Sequence, residues 1–200
     1  MNPTIRKKLR SAVRSSGILR PRDLVGLGIH RKHLRAGIEE GILESEGLGL
    51  YRLSDASPTE RHSLALVAKR YPKVVVCLLT ALNFHALTTQ LPHEVWVAVP
   101  QHSWVPTPKV LKLKIVQMGP AAMSEAVETH EIEGVPVRVF SAVKTVVDCF
   151  RHRKIVGNDV AIEALRAYLS RRDRNLRTLL RTANTLRIAS VIKPYAEALT

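Results

Sequence analysis

Side chains that can carry charge-based chemistry recur at helical spacing between Ser141 and Arg151. Lys144, Asp148 and Arg151 are separated by four and three residues, so a helix places them on one face. Thr145 lies beside that ridge. A carboxylate next to an ammonium group suggests a nuclease or phosphotransfer fragment, but no second metal-binding acid accompanies it in sequence. The alternatives are an ion-paired surface ladder, worth about 0.3 kcal/mol per pair, and a docking or regulatory site.

A second set of side chains near the start of the chain is of the kind that binds nucleic acid. Arginine and lysine read guanine edges in the major groove, and a small apolar group such as Ala36 contacts a thymine methyl. Other cations contact phosphates and set the register on the duplex. The candidates for base or groove contacts are Arg31, Lys32, His33 and Arg35, and those for phosphate contacts are Arg6, Lys7, Lys8, Arg22 and Arg52.

The stretch from Gly17 to Leu53 has the pattern of a helix-turn-helix that would position these cations. Pro21 and Asp23 favour a short positioning helix over residues 22–25, because proline suits a first helical turn and an acid suits the positive end of the helix dipole. Gly26 to Gly28 supply a tight break, since glycine readily adopts left-handed backbone angles. Residues 30–40 then predict a second helix that reads the duplex.

The faces and flanks of this second helix complete the pattern. Leu34 and Ile38 fall on one face of the predicted helix, which leaves the cationic face for DNA. Two apolar runs within residues 42–53 are divided by glycines, which predicts a two-stranded β-wing. An amphipathic helix over residues 3–15 completes a winged helix. The alternative is a winged helix that serves as a protein-interaction module, with its arginines on a solvated face.

Charge supports the nucleic-acid interpretation. The chain of 200 residues carries 31 lysines and arginines against 17 acids, a formal net charge of +14. Residues 1–53 hold eleven Lys/Arg against five acids, and residues 151–187 hold ten against three. Such an imbalance favours a polyanionic partner through counterion release and long-range attraction. The basic surface is therefore expected to be bipartite.

The cysteines and the hydropathy pattern argue against disulfide-bonded, zinc-binding and membrane-spanning classes of protein. Cys77 and Cys149 each lie in an apolar run, which predicts buried free thiols in a reducing cytosol. No paired cysteines have zinc spacing, and His85, His93 and His102 do not form a structural zinc motif, so neither a metal nor a cofactor is expected. The sequence contains neither a signal-peptide pattern nor an apolar run of membrane-spanning length, and we expect a cytoplasmic protein.

The remainder of the chain mixes strand and helix patterns. Strands are predicted near 94–99 and 111–116 and in a hairpin over 129–140, and helices follow Ser141, Asn158 and Asn175. Ser57 to Glu60 match a capping box that opens a helix. Trp104, in a proline-bearing loop, is the expected exposed aromatic contact. The predicted fold class is α+β, with a winged helix-turn-helix at 1–56 and a mixed α/β domain with a small sheet and C-terminal helices at 57–200.

Several short motifs in succession resemble the AbiEi family, the antitoxins of type IV abortive-infection toxin-antitoxin systems. The resemblance runs over nearly the whole chain, and the order of the motifs is more specific than any one of them. The motifs are Leu19-Arg20-Pro21-Arg22-Asp23-Leu24, Gly28-Ile29, Leu34, Gly49-Leu50-Tyr51, Ala81-Leu82-Asn83-Phe84-His85-Ala86-Leu87-Thr88-Thr89 and Lys144-Thr145-Val146-Val147-Asp148-Cys149-Phe150.

The resemblance implies a function for each half of the chain. The amino-terminal winged helix would repress its own operon at inverted repeats in double-stranded operator DNA. The second domain would counter a cognate nucleotidyltransferase-like toxin, often without a stable complex, and some relatives are associated with toxin phosphorylation. The oligomeric state stays open, with a monomer on inverted repeats as one option. The candidates for toxin neutralisation are Lys144, Thr145, Asp148 and Arg151.

Two other function classes remain as alternatives to this non-enzymatic assignment. One is an enzyme, either a nuclease or a kinase-like modifier of the toxin, for which Asp148 is the candidate carboxylate. The other is a plain winged-helix regulator whose second domain binds a small effector.

Overall fold

The computed structural model describes residues 1–103, 105 and 111–199, and their fold class is α+β. The chain divides into two compact units. Unit 1 comprises Met1–Pro72 and His130–Val137, and unit 2 comprises Lys73–Thr129 and Arg138–Thr200. Within the described residues, no helix is both long enough and apolar enough to cross a membrane. Trp104, the expected aromatic contact, lies outside the described residues.

Unit 1 consists of short helices and a hairpin. Its first helix is capped by Asn2, whose side chain accepts a hydrogen bond from the Thr4 amide at 2.9 Å. A buried cluster that includes Leu9, Leu24 and Leu34 forms its core. Its elements are α1 (Pro3–Ser16), a 3₁₀ helix (Pro21–Leu27), α2 (Lys32–Glu39), β1 (Leu43–Gly47), β2 (Leu50–Leu53) and α3 (His62–Arg70).

The hairpin of β1 and β2 confirms the predicted pair of strands. The two strands are antiparallel, with Leu43 opposite Leu53, and a register shift lies between Ser45 and Gly47. Leu19 and Tyr51 exchange two backbone hydrogen bonds, of 2.8 and 3.0 Å. The chain before the 3₁₀ helix is thereby fixed to the hairpin.

The helical segments of unit 1 differ in detail from the prediction. The positioning helix is a 3₁₀ helix that includes Gly26, and Gly28 ends it in the left-handed region at φ 65°. Ile38, predicted to face the core, is 41% exposed. Gly37 takes the buried position instead, because a Cβ there would lie 3.0 Å from Leu43 Cδ1, so only glycine lets the helix approach this closely.

The predicted boundary after residue 56 differs from the division of the structure. The capping-box helix does not start at Ser57; α3 starts at His62. The Thr59 amide and hydroxyl both donate to Glu133, at 2.7 and 2.8 Å, instead of capping a helix. Unit 1 thus extends through α3 and includes residues 130–137, whose contribution no local pattern indicates.

Unit 2 is built on a mixed sheet. Among the described residues the strand order is β5-β4-β3-β7-β6, with β3 antiparallel to β4 and parallel to β7, and β4 parallel to β5. Its elements, two of which extend into residues 130–137 of unit 1, are β3 (Val75–Val76), α4 (Leu78–Phe84), β4 (Val95–Pro100), β5 (Leu113–Met118), α5 (Pro120–Ser124), β6 (Val127–Ile132), β7 (Val135–Phe140), α6 (Ala142–Arg151), α7 (Arg153–Val156), α8 (Asn158–Leu169), α9 (Leu176–Thr185) and α10 (Ala189–Ala198).

Helix α6 lies at the centre of unit 2 and packs against α4, α8 and α9. Its predicted cap is confirmed, since the Ser141 hydroxyl accepts a hydrogen bond from the Lys144 amide at 3.3 Å. Asn175 likewise caps α9. Asn158 is not a cap, because it is the first residue of α8 and Gly157 precedes it at φ 95°. Every residue of α6 from Lys144 to Phe150 is buried.

Candidate nucleic-acid interface

Helix α2 presents its cations to solvent. Arg31, Lys32 and Arg35 are exposed, and His33 is half-buried. Leu34 and Gly37 anchor the opposite side of the helix in the core of unit 1. Among the described residues Lys32 has no ion-pair partner, so its charge is available to an external anion. The helix thus separates a buried apolar side from a cationic side as predicted, apart from the exposed Ile38.

The entry into α2 is fixed by backbone hydrogen bonds. The Ile29 amide donates to the Leu24 carbonyl at 3.2 Å across the left-handed turn at Gly28. His30 Nδ1 accepts from the Lys32 amide at 3.2 Å, so this ring caps the first turn of the helix. His30 therefore satisfies one of the free amides at the start of α2.

Two surface grooves adjoin on this side of unit 1. One, of about 540 Å³, is lined by residues of the 3₁₀ helix and the turn, including Arg22 and Val25. The other, of about 600 Å³, is lined by the exposed side of α2 together with Tyr51 of β2. Arg31 lines both. Val25 is 78% exposed, so an apolar contact is available beside the cations.

The 3₁₀ helix is held by an ion-pair cluster that sequence reasoning missed. Asp23 Oδ1 accepts from Arg20 Nη2 at 3.0 Å, and Asp23 Oδ2 lies 3.0 Å from Lys69 Nζ. Burial alone would raise the pKa of Asp23, but the hydrogen bonds from Arg20 and Lys69 outweigh it and lower the pKa below its ordinary value. The three-residue spacing of Arg20 and Asp23 could have indicated the first of these ion pairs. The pair with Lys69 could not be predicted from spacing, because Lys69 lies far along the chain.

Among the predicted phosphate contacts, Lys7, Lys8 and Arg22 are exposed and have no ion-pair partner within the described residues. Arg6 is exposed but pairs with Glu40, Arg6 Nη2 lying 2.6 Å from Glu40 Oε2. These four cations remain accessible to a phosphate. Their positive charge and their exposure are compatible with phosphate contacts, a role that rests on the sequence pattern.

Arg52 is placed differently from the prediction. Its guanidinium forms ion pairs with Glu44 and Glu46 and donates to the Ala56 carbonyl at 2.6 Å, and its side chain is 16% exposed. Each acid lies on β1, opposite the strand that carries Arg52, so the arginine joins the hairpin strands. Its guanidinium is saturated by internal acceptors and is not available to a phosphate in this conformation.

Glu46 also belongs to a chain of polar contacts within unit 1. Glu46 Oε2 lies 3.4 Å from His62 Nε2, and His62 Nδ1 lies 2.6 Å from Glu133 Oε2. Burial alone would raise the pKa of Glu133, but its hydrogen bonds with His62 and Thr59 lower it. These contacts join the hairpin, α3 and residues 130–137.

The predicted ion pair of α6 forms, but it lies inside unit 2 and not on a surface ridge. Lys144 and Asp148 form an ion pair in which both side chains are 0% exposed, and Thr145 is also fully buried. Neither a surface ladder nor direct contact with a toxin fits buried side chains. Arg151 is exposed as predicted, and its guanidinium donates to the Leu186 carbonyl at 3.4 Å.

The buried pair of Lys144 and Asp148 is surrounded by the Phe140 ring and the first turn of α6. Lys144 Nζ lies 4.0 Å from the centroid of the Phe140 ring, and Thr145 Oγ1 donates to the Phe140 carbonyl at 3.2 Å. Burial raises the pKa of Asp148, against the opposing effect of the Lys144 charge. Asp148 Oδ1 has no hydrogen-bond partner among the described residues.

The remaining candidate ligands of a metal are dispersed. His85 Nε2 lies 2.7 Å from the Phe140 carbonyl oxygen, where the ring supports the fold. Cys77 and Cys149 are buried free thiols, as predicted, and burial raises the pKa of both. Within residues 1–103, 105 and 111–199, no group of three His, Cys, Asp or Glu side chains is arranged to hold a metal ion.

Comparison with known proteins shows a likeness of fold. No protein-family model matches the chain, and no curated protein matches it. A solved structure, that of the RV2827C protein from Mycobacterium tuberculosis, is similar to this chain with a TM-score of 0.53 and 11% sequence identity. The alignment covers 98% of this chain and 82% of that protein. At this identity the likeness concerns the fold alone.

Proposed function

We propose that this protein is the antitoxin and autoregulatory repressor of a type IV toxin-antitoxin operon, and that unit 1 binds operator DNA as a winged helix. The observation that carries the DNA-binding half is the exposed cationic side of α2, bordered by two grooves. A helix of this size fits the major groove of B-DNA, where arginine and lysine contact guanine. In this proposal the protein is cytoplasmic and performs no catalysis.

The other elements of unit 1 take the supporting roles of a winged helix. The 3₁₀ helix replaces the usual positioning helix, and its attachment through Asp23 to Arg20 and Lys69 keeps α2 in place. Lys7, Lys8 and Arg22 are the phosphate contacts, together with Arg6 once it exchanges Glu40 for a phosphate. The β1-β2 hairpin is the wing, and Arg52 stabilises it rather than contacting DNA.

The antitoxin half of the proposal rests on the resemblance to the AbiEi family. The burial of Lys144, Thr145 and Asp148 assigns the most distinctive motif of that resemblance to the core of unit 2. The toxin-directed surface must therefore consist of other side chains, of which Arg151 is the exposed member of the predicted set. The buried pair also argues against Asp148 as the carboxylate of a nuclease or kinase, since no substrate reaches it in this conformation.

The DNA-binding half is tested with the full chain and the DNA upstream of its own gene. We expect Lys32→Ala with Arg35→Ala to weaken binding by about 2 kcal/mol or more, about thirtyfold, because each good base contact contributes about 1 to 3 kcal/mol. The measurement is fluorescence anisotropy against labelled duplex.

A matched control removes two charges elsewhere on unit 1, with Arg14→Gln and Arg70→Gln, both of which are exposed. This control should retain most of the affinity for the upstream fragment. Equal affinity of the α2 variant and the control variant would contradict operator binding through α2.

The antitoxin half is tested by co-expression with the neighbouring gene. We expect that gene to encode a nucleotidyltransferase-like protein that arrests growth when expressed alone, and that the full chain relieves the arrest. A neighbour that is harmless alone, or one unaffected by this protein, would refute the assignment.

A further inference from the structure

Unit 2 carries a row of exposed arginines on and around α9. Arg174, Arg177 and Arg181 are spaced by three and four residues, so they follow one side of the helix and the turn before it. Leu179 and Ala183 are buried on the opposite side. The α9 arginine row, as we name it, consists of Arg172, Arg174, Arg177, Arg181 and Arg187, all of them exposed.

Acidic side chains are scarce in the segment that carries the row. Asp173 is the only acid in residues 164–196, all of which are described. Its carboxylate is already held by Arg171 in a fork, with Nε to Oδ1 and Nη2 to Oδ2 both at 2.8 Å. Because Asp173 is occupied by a neighbour, the positive charge of the row is not neutralised within this segment.

The segment that carries the first arginines is fixed by hydrogen bonds. The Asn175 side chain accepts from the Thr178 amide at 2.9 Å, and the Asn175 amide donates to the buried Tyr168 hydroxyl at 2.7 Å. Arg171 Nη1 donates to the His85 carbonyl at 3.3 Å. A backbone held in this way lowers the entropic cost of binding, since less of it must be ordered when the partner arrives.

The residue types indicate which polyanion fits. Residues 160–190 contain seven arginines and no lysine. The planar guanidinium matches a phosphate with two parallel hydrogen bonds, which an ammonium group cannot provide. The apolar side of α9 lies in the core of unit 2, and the single exposed Leu176 is too little apolar surface for the helix to insert into a membrane.

We propose that the α9 arginine row is a second nucleic-acid contact, which binds the phosphate backbone without regard to sequence and independently of α2. Arginines spaced along one helix contact successive phosphates of a strand and release their counterions. The proposal does not depend on operator recognition by unit 1, because the row consists of unit 2 residues alone.

The test measures the salt dependence of binding to a labelled duplex of arbitrary sequence, with the full chain. Replacement of Arg174, Arg177 and Arg181 by glutamine is expected to reduce the slope of log K against log salt by about 3, one for each lost phosphate contact. The control replaces Lys73, Lys112 and Lys154, three exposed lysines on other parts of unit 2, by glutamine. This control should change the slope by less than about 1.

Further arms separate the possible outcomes. A slope that falls no more in the arginine variant than in the lysine control would overturn the proposal. So would labelled poly-glutamate that binds through the same arginines as tightly as the duplex, because the partner would then be an acidic protein surface. Arg→Lys replacement at the same three positions keeps the charge and should retain most of the slope, which separates loss of contacts from misfolding.

The α2 variant, measured with the upstream DNA and with the arbitrary duplex, separates this proposal from the proposed function. If Lys32→Ala with Arg35→Ala leaves the binding of upstream DNA unchanged while the α9 variant loses salt dependence, operator reading by α2 fails and the arginine row stands. If the α2 variant loses binding of upstream DNA while the α9 variant keeps its salt dependence, the arginine-row proposal fails and operator reading by α2 stands.

Discussion

Helices α2 and α6 each carry an ion pair at a spacing of four residues, and the surroundings give the two pairs opposite roles. In α2, Arg35 Nε lies 3.0 Å from Glu39 Oε1, with side chains 88% and 62% exposed. In α6, Lys144 pairs with Asp148 while both side chains are 0% exposed. The spacing brings either pair together, but burial decides what the pair can do.

An exposed pair gains little and exchanges partners easily, because water and salt screen its charges. The guanidinium of Arg35 can therefore exchange its carboxylate partner for another anion. A buried pair loses its hydration, so each charge depends on the other, and neither can leave without stranding its partner. Identical spacing in sequence thus yields an accessible guanidinium in one unit and a buried structural pair in the other.

The largest expected effect comes from breaking the buried pair. Lys144→Met leaves the Asp148 carboxyl group buried without its cation, and we expect the free energy of unfolding to fall by about 3 to 5 kcal/mol. Replacement of both residues, with Lys144→Met and Asp148→Leu, should recover most of that loss, because no buried charge remains. Urea denaturation of the full chain measures both.

The control for this prediction is another pair at the same spacing in unit 2. Lys193 Nζ lies 3.7 Å from Glu197 Oε1 on α10, with side chains 62% and 67% exposed. Lys193→Met should change stability by no more than about 0.5 kcal/mol. If Lys144→Met costs as little as Lys193→Met, burial is not what distinguishes the pairs.

Asp23 lies between these extremes, since its side chain is 24% exposed. A carboxylate with a lowered pKa stabilises the fold above its ordinary value of 3.8, and this contribution is lost as the pH falls through the still lower pKa of the folded state. Asp23→Asn should therefore cost about 1 to 2 kcal/mol at neutral pH. Denaturation at a series of pH values should show the gap to the wild type closing below pH 3.8. A gap that is constant with pH would mean that the carboxylate charge contributes nothing.

Patterns that depend on local spacing predicted much of the fold. The amphipathic α1, the glycine-divided hairpin and the caps at Ser141 and Asn175 follow from residues close in sequence. The start of α3 could not be predicted in this way, because the Thr59 groups that would continue the capping box bind Glu133, more than seventy residues away. Local patterns record the propensity of a segment, whereas its boundaries also depend on distant acceptors.

The candidate sites show the same limit. The exposure of Arg31, Lys32 and Arg35 was predicted because amphipathic spacing separates a buried side from an exposed one, although Ile38, assigned to the buried side, is 41% exposed. The same logic failed for α6, where Lys144 and Asp148 look polar in sequence but neutralise each other inside the core. Arg52 was misplaced for a related reason, since its acidic partners Glu44 and Glu46 face it only when the hairpin forms.

The smallest expected effect comes from releasing the exposed pair. Glu39→Gln frees Arg35 and removes a negative charge from the side of α2 that faces DNA in our proposal, so affinity for an arbitrary duplex at low salt should rise about twofold. Stability should change by less than about 0.5 kcal/mol.

Glu197→Gln on α10 removes the same charge from unit 2 and should leave affinity unchanged. In combination with Arg35→Ala the gain should disappear, since there is then no guanidinium to release. A gain that persists without Arg35 would mean that Glu39 acts through general repulsion of DNA, and the pair in α2 would lose the role that separates it from the buried pair in α6.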